Sequence, residues 1–166
     1  MKISAIIISR NDNYGGHLNE RATYAINSAI HTYDEVIYID WNSPTHSLLY
    51  DIKNNLNLKG NLKHFVIPPS IASHLTAMDP HAQVCCEVLA RNIGIRRAIG
   101  DWVVSTNIDI IHPNRQAVED IIQTNGDQYM LTLSRRETTW DQIKNFHGGD
   151  IKFADWESLR DYLTKV

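Results

Sequence analysis

Ala90-Arg91-Asn92-Ile93-Gly94-Ile95-Arg96-Arg97-Ala98-Ile99-Gly100-Asp101-Trp102-Val103-Val104-Ser105-Thr106-Asn107-Ile108-Asp109 holds a complete helix-to-strand transition in one run of sequence. Val84, Val88, Leu89, Ile95 and Ala98 recur at helical spacing, so a helix is expected over 84–99. Gly100 is a usual place for it to stop. Trp102 to Thr106 is then a short β-rich run of strand type. It empties into Thr106-Asn107-Ile108-Asp109, a polar cluster that ends in a carboxylate.

The same alternation extends in both directions. Ile3 to Ser9 is a continuous apolar run, as expected of a strand covered on both faces. Val36-Ile37-Tyr38-Ile39, Lys63 to Ile67 and Tyr129 to Leu133 read as further strands. Helices are expected over Asn19 to Ile30, over Ser47 to Leu58 and from Pro113 onward, where Ala117, Val118, Ile121 and Ile122 make an apolar face. Strands alternating with helices in this rhythm predict an α/β fold, a mainly parallel sheet with helices on both faces. Ligands of such sheets bind beyond the carboxyl ends of the strands.

Three of the predicted strands end in polar clusters with an aspartate. The first runs into Ser9-Arg10-Asn11-Asp12-Asn13-Tyr14-Gly15-Gly16, the second into Asp40-Trp41-Asn42-Ser43-Pro44, and the fourth into Asn107-Ile108-Asp109. Asx residues and glycine are ordinary turn chemistry, but three such clusters on one sheet edge have the make-up of a ligand site. The chain contains neither G-x-G-x-x-G nor G-x-x-x-x-G-K-[ST], so the dinucleotide-binding and P-loop readings lack their motif. What remains is a nucleotide held by strand-end polar groups, with Asp109 as the natural ligand of a Mg²⁺ or Mn²⁺ ion bridging to phosphate.

Composition narrows the classes. The chain has 166 residues, 43% hydrophobic and 21% charged, enough apolar mass for one core. Sixteen Lys and Arg against nineteen Asp and Glu, a net charge of -3, exclude a broad basic surface for nucleic acid. No apolar run reaches the roughly 18 residues of a membrane span. Cys85 and Cys86 are adjacent and poor disulfide partners, which points to a reducing, cytoplasmic setting.

The block from Ala90 to Asp109 resembles the middle of GT-A-fold glycosyltransferases of the family 2 type. There a helix reading A-R-N-x-G-x-x-x-A-x-G leads into the strand that delivers a D-x-D motif for metal and nucleotide sugar. Ile6-Ile7-Ile8-Ser9-Arg10-Asn11-Asp12 is similar to that family's first strand, whose end wraps the nucleoside. Ile37-Tyr38-Ile39-Asp40-Trp41-Asn42-Ser43 occupies the place of its V-V-D-D-G-S segment. Gly148-Gly149-Asp150 and Asp155-Trp156-Glu157-Ser158-Leu159-Arg160-Asp161-Tyr162 look like its G-D-F-x-L and W-x-x-L-R-G-Y stretch on the acceptor side. The resemblance implies one GT-A-like domain, with residues 1–112 as the nucleotide-sugar half and residues 113–166 as a reduced acceptor half. Its partners would be a nucleotide-diphosphate sugar and a glycan or other hydroxyl acceptor, in polysaccharide or glycan synthesis, with further domains or a second copy left open.

By the same resemblance the donor would be held by Ser9, Arg10, Asn11, Asp40, Arg91, Asn92, Asn107 and Asp109. Asp109 would be the ligand of a divalent cation, Mn²⁺ or Mg²⁺. Asp150 would act as base on the acceptor hydroxyl, with Asp141 or Glu137 behind it. The chain departs from the family in three places. Asn107 replaces the first carboxylate of D-x-D, Trp41 stands where a second aspartate is usual, and the chain stops at Val166, where the family continues into an acceptor-binding region. The short tail and Asn107 favour the alternative of a non-catalytic nucleotide-sugar-binding or assembly module. A nucleotidyltransferase is a third reading, without the Gly-rich phosphate loop it needs. Trp41 is a candidate for stacking on a base, Trp102 and Trp156 are expected as packing anchors, and Cys85-Cys86 as core. His74 and His147 are expected in loops near the cleft, and Arg135-Arg136 in an exposed turn.

Overall fold

A computed structural model describes residues 1–58, 60–77, 83–126, 130–131, 137–147 and 156–163. Four strands form one parallel sheet: β1 (Ile3–Ser9), β2 (Glu35–Trp41), β3 (Leu62–Ile67) and β4 (Trp102–Asn107), in the order β3-β2-β1-β4. β1 and β2 are buried at every position, which is why both read as unbroken apolar runs rather than alternating ones. β3 and β4 flank them and are only partly buried.

Helices cover both faces, as the alternation predicts. On one face α1 (Leu18–Thr32), α2 (Leu48–Ile52) and α5 (Arg115–Asn125) pack on Ile3, Ala5, Ile7, Val36 and Tyr38. On the other, α3 (Pro69–Thr76) and α4 (Glu87–Ile95) pack through Ala72 and Ala90 on Ile6, Ile8, Ile37 and Ile39. α4 approaches the sheet so closely that a Cβ on Gly94 would lie 2.5 Å from Ile6 Cγ2. Two further helices, α6 (Trp140–Phe146) and α7 (Trp156–Leu163), gather around Tyr24 of α1 through Ile143 and Leu159. No helix among the described residues is long and apolar enough to cross a membrane.

Several expectations need correction. The helix expected over 47–58 ends at Ile52, followed by a 3₁₀ turn over Lys53–Asn55. Asn27 of α1 captures the chain there, donating to Asn55 O at 2.9 Å and accepting from the Asn57 N–H at 2.8 Å. The helix expected from 84 starts at Glu87, so Cys85 and Cys86 precede it; both still pack against the second core cluster. His74 lies in α3 and not in a loop. Trp41 is fully buried among Ile6, Ile8 and Ala72, so it does not stack on a ligand. Trp102 packs on the first core cluster, as expected. The strand expected over Tyr129 to Leu133 falls largely outside the described residues; Met130 and Leu131, which are described, are not in a strand. Arg135-Arg136 also lie outside them.

Candidate functional site

The strand order places β1 between β2, which follows it, and β4, which arrives only after three crossover connections. The direction of winding reverses between β1 and β4, where parallel α/β sheets form their crevice. Register brings the three polar strand ends level: Ser9 pairs with Asp40 of β2, and Ile8 with Asn107 of β4. Ser9, Asp40 and Asn107 therefore stand within one residue of each other across the sheet's carboxyl edge.

The exit loops of β1 and β2 are tied together. Arg10 Nε donates to Asn42 O at 2.9 Å and its Nη1 meets Asp12 at 2.5 Å. The Asn11 N–H donates to Ser43 Oγ at 2.8 Å, and the Asn11 amide to Asp51 Oδ2 at 3.0 Å and His46 O at 3.2 Å. Beside this junction opens a polar cleft of about 540 Å³, lined in part by Asn11, Asn13, His17, Asn19 and Asp51. The cleft borders the β1 exit and not the Asn107–Asp109 end, and Asn11 is the expected donor residue that lines it.

Beneath the junction lies a buried polar layer. Ser9 Oγ and the Tyr38 hydroxyl are hydrogen-bonded, and Ser47 Oγ meets His64 Nε2 at 2.9 Å. Burial, with the charge of Asp40 second, pushes the Tyr38 hydroxyl well above its ordinary value. Asp40 is fully buried. Its Oδ2 accepts from the Leu48 N–H at 3.1 Å at the start of α2, and among the described residues its Oδ1 has no partner. Asp40, expected among the donor-binding residues, thus sits enclosed behind the β2 exit loop.

At the β4 end the organising groups are two arginines. Arg91 of α4 donates to Ser105 Oγ at 2.5 Å, Thr106 O at 3.3 Å and Asn107 Oδ1 at 2.8 Å, and pairs with Glu87 at 2.7 Å. Its guanidinium thus lies at the end of β4 and also makes an ion pair within α4. Arg21 of α1 had no signal in the sequence, being one charge in an otherwise unremarked helix. Its Nη1 pairs with Asp109 Oδ2 at 3.2 Å, while Nε donates to Gly16 O at 3.0 Å and Nη2 to Tyr14 O. Gly15 and Gly16 both have φ +72°, and Asn13 and His17 are also left-handed, so the loop curls back over this side chain. Arg21 clamps the β1 exit loop to the end of β4.

Of the expected donor residues, then, Ser9, Arg10, Asn11, Asp40, Arg91, Asn107 and Asp109 gather at one edge. Asn92 does not join them: it is exposed on α4 and its Oδ1 accepts from Arg96 Nε at 3.0 Å. Asp150 lies outside the described residues, so its expected role as base has no geometry here. His147 meets the Tyr24 hydroxyl at 2.6 Å and links α6 to α1. The Cys85 thiol is pushed up to about 11, by burial first, which keeps it protonated at neutral pH and a poor nucleophile.

The donor set does not suit the divalent cation that the sequence resemblance implies. Asn107 Oδ1 accepts from Arg91, and Asp109 Oδ2 is paired with Arg21. A cation between them would lie beside two guanidinium groups with a single carboxylate to hold it. Among the described residues no three His, Cys, Asp or Glu side chains converge on a common point.

No family model matches the chain, and no curated protein matches it. Among solved structures it is similar to TarS of S. aureus, residues 1–349, with a TM-score of 0.47 and 19% identity over 87% of this chain and 40% of that one. The same TarS fragment in complex with UDP gives a TM-score of 0.48 at the same identity and coverage. S. aureus TarS in a third structure gives 0.48 and 19% identity, over 87% of this chain and 24% of that one. The chain spans less than half the length of each structure it resembles.

Proposed function

We propose that this chain is the nucleotide-sugar-binding part of a GT-A-like glycosyltransferase. It takes a nucleotide-diphosphate sugar at the carboxyl ends of β1, β2 and β4 and passes the sugar to a hydroxyl of a glycan or other acceptor. The observation that carries this reading is the meeting of the polar exits of β1, β2 and β4 at one level of the sheet edge, where winding reverses between β1 and β4. In the reaction the acceptor oxygen attacks the anomeric carbon, the bond from that carbon to the diphosphate oxygen breaks, and the acceptor proton passes to a carboxylate. Asp150 is assigned that proton by the similarity of Gly148-Gly149-Asp150 to the G-D-F-x-L stretch of the family it resembles. The nucleoside end of the donor is assigned to the cleft beside Asn11, and the diphosphate to the β4 end.

Thermal unfolding with UDP-, GDP-, CDP- and dTDP-sugars tests the donor site, because a ligand held by the folded state alone raises the melting temperature by mass action. One donor family is expected to raise it and the others not. No rise with any of them refutes the reading. Given a donor, Asp150→Asn should keep binding and lose transfer, and unchanged turnover would remove Asp150 from the mechanism.

A further inference from the structure

The end of β4 sets two guanidinium groups, Arg21 and Arg91, against two carboxylates, Asp109 and Glu87, so each carboxylate already has a cationic partner and neither is left over for a metal ion. Asp109 is a single carboxylate, its side chain 38% exposed, and Arg21 already neutralises it at 3.2 Å. The other side-chain oxygen of Asn107-Ile108-Asp109 to consider, Asn107 Oδ1, accepts from Arg91 at 2.8 Å. Both guanidiniums are held in place by the protein. Arg21 is fixed by two carbonyls of its own loop, Tyr14 O and Gly16 O. Arg91 is fixed by Ser105, Thr106 and Glu87. A guanidinium has five N–H groups, more than the partners of Arg21 use, so donors remain for an incoming oxyanion.

Resting on the donor reading above, we infer that Arg21 supplies the positive charge that answers the donor's diphosphate at the end of β4, so that the nucleotide diphosphate binds without a divalent cation. In the free protein Asp109 occupies the place of the anion on Arg21. Phosphate and Asp109 then compete for one guanidinium, and this fixes the direction of the effect when either is removed. A metal site would make the opposite demand, because Asp109 would be needed for binding.

The experiment measures binding of UDP, GDP, CDP and dTDP by calorimetry to the full chain, in MnCl₂ and in EDTA, for the wild type, Arg21→Met and Asp109→Asn. For the nucleotide that binds, the wild type should show affinities in the two buffers within about threefold of each other. Arg21→Met should lose at least about tenfold through the lost charge-assisted bonds. Asp109→Asn should bind as well as the wild type or more tightly, in EDTA as in MnCl₂. Loss of binding in EDTA, or loss of binding in Asp109→Asn with its melting temperature unchanged, overturns the inference and leaves the donor reading intact. Unchanged affinity in folded Arg21→Met overturns it as well. Should no nucleotide diphosphate bind in either buffer, the donor reading falls and the inference with it. Arg21→Lys guards against a folding defect: it keeps the charge and should recover part of the affinity that Arg21→Met loses.

Discussion

His112 follows the β4 exit by only a few residues and anchors it to α1, which makes it the sharpest handle on the acid stability of the site. It is buried, its Nδ1 shares a hydrogen bond of 3.0 Å with the Tyr33 hydroxyl, and among the described residues its Nε2 has no partner. Its N–H donates to Ser28 Oγ at 2.9 Å, and the next carbonyl, Pro113 O, accepts from Thr32 Oγ1 at 2.7 Å. A protonated imidazole would bring a charge into this interior with no acceptor for the Nε2 proton. Burial therefore lowers its pKa from 6.5 to about 4.

Below the ordinary histidine value the unfolded chain takes up a proton that the folded chain refuses. Stability from this group is complete above about pH 6.5 and is lost as pH falls toward 4. Between pH 7.5 and pH 4.5 the loss works out at about 2.5 kcal/mol, or roughly 5–10 °C of melting temperature for a chain of this size. Other groups titrate over the same range, so the measurement is a comparison. Urea unfolding of the wild type and of His112→Phe is followed by circular dichroism at both pH values. The variant should be less stable at pH 7.5, by about 1 kcal/mol for the lost Tyr33 bond. It should lose less on acidification, by about 2.5 kcal/mol, because phenylalanine has no proton to take up. Equal losses for the two proteins would refute the argument.

Two further predictions concern the frame that carries the site. Glu35, at the start of β2, joins Ser4 of β1 at 2.5 Å, Lys63 of β3 at 2.5 Å and the Ile99 N–H before β4 at 3.0 Å. Burial alone would raise its pKa, but these partners bring it below the usual glutamate value. Its stabilisation is thus full above the ordinary value of 4.5 and fades as pH falls through the folded pKa. Glu35→Ala should cost roughly 1–3 kcal/mol in neutral urea unfolding, since it takes the acceptor from the buried Ser4 hydroxyl and the Ile99 N–H while the half-exposed Lys63 amine returns to water, and an unchanged stability would show that these bonds do not hold the frame. Gly94→Ala gains about 1 kcal/mol of helix propensity but drives a methyl into Ile6. Its melting temperature should fall by a few degrees, and an unchanged or higher one would mean that α4 does not sit against β1 as described.

The sheet was legible because its inner strands are covered on both faces, so β1 and β2 appear as apolar runs with sharp polar ends. Helix ends were less so. Three asparagines, Asn54, Asn55 and Asn57, mark the place where α2 gives way, yet the reason it stops is Asn27 on another helix. α6 carries an unused signal, the Thr139 and Gln142 capping box directly before Trp140. In the site, the meeting of the β1, β2 and β4 ends at one edge was legible from the alternation of strands and helices, because pairing in a parallel sheet brings successive strand ends level. Arg21 was not, because its importance comes from Asp109, which lies far along the chain and meets it only through the β1–β4 pairing. Asp40 and Trp41 were misplaced for a related reason: a polar or aromatic residue at a strand end reads as available, and only the packing of α2 and α3 shows that both are enclosed.

The place of β4 in the sheet order also bears on how the molecule comes into being. β1 finds β2, and β2 finds β3, across a single helical crossover, whereas Ile3 must wait for Trp102. Closing so long a loop is slow, so the edge of β1 that β4 will cover stays bare while the rest of the sheet is already formed. During synthesis that bare edge persists until the segment around Asn107 has left the ribosome. In that interval the chain displays the isoleucine-rich edge of β1 to its neighbours and invites the wrong pairing. The seam between β1 and β4, where the winding reverses, is thus the last part of the sheet to be built.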